Sequence, residues 1–116
     1  MPNETTRVAV DYSSDFKRHV RALSKKYHHI RSDIQPTIEA IQRGEFLGDR
    51  IPGTGYVVFK VRAINRDIRK GKSSGYRLIY EVETPQSVLM IDIYSKLDQG
   101  DISANQIRKI ISEERS

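Results

Sequence analysis

The chain has 116 residues, 37% hydrophobic and 30% charged, with a formal net charge of +5 and no cysteine. That length suits one compact domain over residues 1–116, and the missing cysteines exclude a disulfide framework, a thiolate nucleophile and a Cys-ligated metal. No run of about 18 apolar residues exists and the start MPNETTRVAV lacks the segments of a signal peptide, so a cytoplasmic protein without membrane contact is expected.

Arg7 to Tyr12 is Val-rich and alternates weakly, which predicts a short first strand. Ser14 then offers a helix cap, and Phe16, Val20, Leu23, Tyr27 and Ile30 recur at the spacing of one helical face. A second helix is expected from Ser32 or Asp33, with Pro36 in its first turn, Ile34, Ile38 and Ile41 as its buried stripe and Gly44 as its stop. Gly44 to Gly55 reads as a loop. Tyr56 to Ile64, Tyr76 to Val82 and Val88 to Tyr94 read as strands, separated by the basic stretch Asn65 to Ser74 and by the turn Thr84-Pro85-Gln86. A capping box of Ser103 and Gln106 opens a last helix that puts Ile107, Ile110 and Ile111 on one face. The expected fold is α+β, in the order β-α-α-β-β-β-α: an antiparallel sheet of about four strands, an N-terminal helical hairpin on one face and a short C-terminal helix.

Charge is concentrated. Tyr56 to Arg77 holds seven bases (Lys60, Arg62, Arg66, Arg69, Lys70, Lys72, Arg77) against one acid, Asp67, which is +6, whereas the rest of the chain sums to -1. Focused positive charge suits a polyanion such as RNA, DNA or an acidic protein. Strand alternation then asks which of these groups share a surface. If Val57, Phe59, Val61 and Ala63 face the helices, Lys60 and Arg62 point away. If Tyr76, Leu78, Tyr80 and Val82 face them, Arg77 points away. If Leu89, Ile91 and Ile93 face them, Asp92, Tyr94 and Lys96 point away. Lys60, Arg62, Arg77, Tyr94 and Lys96 are therefore expected on one sheet face. There the cations can neutralise a phosphate, and a Lys or Tyr can exchange a proton with a ribose hydroxyl. Asp92 is the only acid projected onto that face, and His19, His28 and His29 show no ligand spacing, so neither a metal nor a cofactor is expected.

The element order and the string Ser73-Ser74-Gly75-Tyr76-Arg77-Leu78-Ile79-Tyr80-Glu81-Val82, following a Lys-x-Arg strand, resemble the RelE/ParE superfamily of bacterial toxins across residues 7 to 112. The family's basic strand residues and its Arg within the string fall on Lys60, Arg62 and Arg77. The Gly71-Lys72-Ser73 turn and the ending Tyr94-Ser95-Lys96 are similar to HigB-type members. Where RelE carries an Arg and a Tyr after its last strand, this chain has Leu97 and Ser103. The resemblance implies a metal-independent endoribonuclease that cuts mRNA, usually on the ribosome, by 2′-hydroxyl attack. It also implies a small acidic antitoxin as partner. On this reading Arg62 and Arg77 hold the scissile phosphate, Lys60 or Lys96 assists proton transfer, and Tyr94 stacks on or orients a base. Arg66, Arg69, Lys70 and Lys72 grip the RNA or rRNA backbone. Two other readings use the same scaffold: a ParE-like inhibitor of DNA gyrase without nuclease chemistry, and a non-catalytic RNA-binding module.

Overall fold

Ser13 sets the first strand-to-helix boundary: its hydroxyl accepts the Phe16 N–H at 2.9 Å and donates to the Ile91 carbonyl at 2.6 Å. The cap is thus Ser13 rather than Ser14, because Ser13 is fully buried and tied to the sheet. The computed structural model describes residues 7–68 and 75–116. Strand β1 (Ala9–Tyr12) precedes this cap and helix α1 (Ser14–Ser24) follows it.

Helix α2 (Ile30–Gln42) begins earlier than its sequence suggests. Its cap position is His29, which supplies no side-chain cap; instead the distant Asp67 carboxylate accepts the His29 N–H at 3.0 Å and meets the ring Nδ1 at 2.7 Å. Pro36 consequently sits inside the helix, not in its first turn. Gly44, at φ 86°, stops the helix as expected, and the Glu45 N–H closes the last turn on the Ala40 carbonyl at 2.9 Å.

Four further strands follow, β2 (Asp49–Arg50), β3 (Val58–Ala63), β4 (Tyr76–Thr84) and β5 (Ser87–Ser95), and then helix α3 (Ala104–Arg115). The sheet order is β1-β5-β4-β3-β2. It is a five-stranded mixed sheet, not a four-stranded antiparallel one. The expected loop contributes the two-residue edge strand β2, and the helical hairpin returns the chain so that β1 lies parallel to β5. The other pairs are antiparallel.

The sheet is covered on both faces. On one, Phe16, Val20, Ile34, Ile38 and Ile41 pack on Val61, Ala63, Tyr76, Leu78, Tyr80, Val88, Met90 and Ile93. On the other, Ile107, Ile110 and Ile111 of α3 pack on Val58, Ile79, Leu89, Ile91 and Tyr94. Two expectations are corrected here. Leu89 and Ile91 face α3 rather than the hairpin, and Val57 is exposed while Val58 is buried. A bulge in the β4–β5 ladder explains the first: Tyr80 pairs with Met90 but Ile79 pairs with Asp92, so Ile91 has no opposite number and the alternation is reset before Ile93. Among the described residues no helix is long and apolar enough to cross a membrane.

Candidate functional site

Beyond the bulge the three long strands align one row of polar side chains. Arg62 of β3 stands opposite Arg77 of β4, and Arg77 opposite Tyr94 of β5. Directly opposed residues point to the same face, about 5 Å apart at Cβ, so this row lies on the α3 side of the sheet. Gly75 fixes how tightly its strands meet. It has φ 126°, and a Cβ there would lie 2.7 Å from the Ala63 carbonyl oxygen. Its own carbonyl accepts the Lys96 N–H at 2.9 Å, extending the ladder one step past β5.

Lys60 and Lys96 lie on the same face and meet at Asp101, in the loop between β5 and α3. The carboxylate Oδ1 of Asp101 is 3.3 Å from the Lys60 Nζ, 3.5 Å from the Lys96 Nζ and 3.2 Å from the Tyr94 hydroxyl, which donates to it. These neighbours, the Lys60 hydrogen bond and charge first, hold the Asp101 carboxyl below its ordinary range. Tyr94 moves the other way. Its hydroxyl is pushed up to about 12, chiefly by burial and then by the Asp101 charge and hydrogen bond, with the Ile102 backbone and then Arg77 pulling against them.

The five residues expected on one face are thus brought together, with one change of role. The Tyr94 ring is only 4% exposed, packed under α3 with Leu89 and Ile107, so it does not offer a face for base stacking. Asp92 stands opposite Ile79, which packs on the α3 side, and its carboxylate is buried 2.6 Å from the Nδ1 of His19 on α1. Arg66, expected on RNA, is committed to α2: its Nε lies 2.5 Å from the buried Asp33 carboxylate, and its guanidinium donates to the Ser32 hydroxyl at 2.6 Å. Arg69, Lys70 and Lys72 lie outside the described residues. Among the described residues no three His, Asp or Glu side chains gather as a metal site would require.

Sequence reasoning missed Asp101. Alternation assigns faces only within strands, and Asp101 lies in a loop; the available signal was its place directly between the Tyr94-x-Lys96 ending and the Ser103 cap.

The chain matches no protein-family model, and no curated protein matches it in sequence.

Proposed function

We propose that this chain is a RelE/ParE-like toxin, an endoribonuclease that cleaves mRNA on the ribosome without a metal ion and is held in check by an acidic antitoxin in the cytoplasm. The observation that carries this reading is the row Arg62–Arg77–Tyr94 on the α3 side of the sheet, with Lys60 and Lys96 converging beside it on a single carboxylate oxygen. Four cations on one sheet face suit the charge that builds on a phosphate during in-line displacement. Arg62 and Arg77 hold the non-bridging oxygens. The ribose 2′-hydroxyl loses its proton to solvent and attacks phosphorus, the bond from phosphorus to the 5′-oxygen breaks as a 2′,3′-cyclic phosphate forms, and Lys60 or Lys96 delivers a proton to the departing 5′-oxygen. Tyr94 serves by position, because a hydroxyl pushed up to about 12 is a weak proton donor and is scarcely ionised at neutral pH.

Mapping RNA ends after brief expression in cells tests the proposal, with Arg77→Ala as the matched variant. New ends inside reading frames are expected from the parent. From a variant that circular dichroism finds folded they should be reduced on the order of 10²-fold, the usual cost of removing a cation from a developing charge. Intact messages with DNA-damage signals would instead identify the gyrase-directed alternative, and undiminished cleavage by the variant would remove Arg77 from the site.

A further inference from the structure

We propose that Lys60, Tyr94 and Lys96 form a subsite for one non-bridging oxygen of a phosphodiester, and that Asp101 is its internal occupant, displaced when RNA binds. The inference rests on the phosphate-binding reading above and adds a residue to it.

Three donors converge on one oxygen from two strands that are not neighbours, since β4 separates β3 from β5. Lys60 Nζ, Lys96 Nζ and the Tyr94 hydroxyl all lie within 3.5 Å of Asp101 Oδ1. A carboxylate and a phosphodiester each spread one negative charge over two oxygens, so either satisfies the same donors. The carboxylate is also placed to leave. Its side chain is 57% exposed, while the segment around it is anchored elsewhere, by the Asp98 N–H on the Ser95 carbonyl before it and by the Ser103 cap of α3 after it.

The consequence is selectivity. A tethered carboxylate competes at high effective concentration, so a small anion with only this subsite to gain displaces it poorly. A nucleic-acid strand that also engages the adjoining Arg62–Arg77 pair brings a second set of contacts and prevails. Asp101 thereby discriminates a polymer backbone from soluble phosphate.

The test measures binding of an uncleavable 2′-O-methyl oligoribonucleotide by fluorescence anisotropy at fixed salt. Asp101→Asn keeps the shape of the loop and removes the charge. It should bind the probe about 3- to 10-fold more tightly than the parent, the range of one or two exposed ion pairs. Glu39→Gln, which removes one carboxylate from α2 on the far side of the sheet, should change affinity less than about twofold and so accounts for net charge. The gain from Asp101→Asn should vanish when Lys60 and Lys96 are both replaced by Met. If the parent binds and Asp101→Asn binds equally or more weakly, the occupant assignment is wrong and the RNA reading stands. If neither protein binds the probe, the RNA reading fails, and an inorganic phosphate titration followed by NMR of the Lys60 and Lys96 ammonium groups decides the subsite. A stronger phosphate response in Asp101→Asn than in the parent would uphold it, and equal or absent responses would overturn it.

Discussion

Replacing Tyr94 by Phe separates a structural tyrosine from a catalytic one. The ring is 4% exposed and packs with Val58, Ile79 and the α3 isoleucines, and Phe preserves those contacts. What is lost is the hydroxyl, which donates to Asp101 at 3.2 Å. Its acceptor is more than half exposed, so water replaces the missing donor and the net cost is about 1 kcal/mol. With an unfolding entropy of about 2.1 cal/mol/K per residue, that lowers the melting temperature by about 4 °C for a chain of this length. Tyr94→Ala also removes the ring, at about 3 to 5 kcal/mol, and should melt about 12 °C or more below the parent. For chemistry, a hydroxyl pushed up to about 12 is ionised at pH 7 in about one molecule in 10⁵, so it is a poor proton carrier. Cleavage by Tyr94→Phe should therefore stay within a few-fold of the parent, measured as single-turnover rates beside calorimetric melting. A folded Phe variant that loses activity on the order of 10²-fold would show that the hydroxyl moves the proton, and the reasoning from burial would be refuted.

Two further substitutions probe the frame of the site. Gly75→Ala places a Cβ 2.7 Å from the Ala63 carbonyl at φ 126°, so it should destabilise by about 2 to 4 kcal/mol, and an unchanged urea midpoint would show that β3 and β4 can part without cost. Arg115→Ala leaves the buried Glu81 carboxylate without the guanidinium that stands 2.6 Å away, and Glu83 without the one at 2.8 Å, at a cost of about 1 to 2 kcal/mol near neutrality given that Arg115 is itself partly exposed. Burial already raises the Glu81 carboxyl above its unfolded value, with Arg115 opposing; without Arg115 the folded protein holds that proton more tightly than the unfolded chain, so stability falls as pH rises through the raised value. The deficit measured by denaturant titration should therefore shrink between pH 7 and about pH 4.5, the unfolded range, and a constant deficit would contradict the assignment.

The parts of this fold that are legible in the sequence are those where one face is wet. Phe16, Val20 and Leu23 of α1, the α2 stripe, the Gly44 stop and the Ser103 cap obey local rules and appear where those rules put them, the cap hydroxyl accepting the Gln106 N–H at 3.1 Å, but α1 ends at Ser24, so Tyr27 falls between the helices and Ile30 opens α2. β3 and β4 also alternate cleanly near Lys60, Arg62 and Arg77. In β5 the run Val88-Leu89-Met90-Ile91 is apolar on both sides, because α3 covers one face and the hairpin the other, so alternation there carries no information about direction. The start of α2 was hidden for a different reason: its cap is Asp67, 38 residues away, and no window along the chain contains both partners. The polar row nevertheless emerges on one face despite the misread half of β5. The bulge lies between Met90 and Asp92, upstream of Tyr94, and what aligns Arg62, Arg77 and Tyr94 is the ladder beyond it. An error of phase on one side of a bulge does not cross it. Asp101 has no such ladder. Its position follows from the short path the chain takes between the end of β5 at Ser95 and the cap of α3 at Ser103, which carries a carboxylate past the Lys60 and Lys96 ammonium groups. A loop this short, strung between two fixed ends, makes the acid's proximity to the cations a property of topology, and only the folded chain displays it.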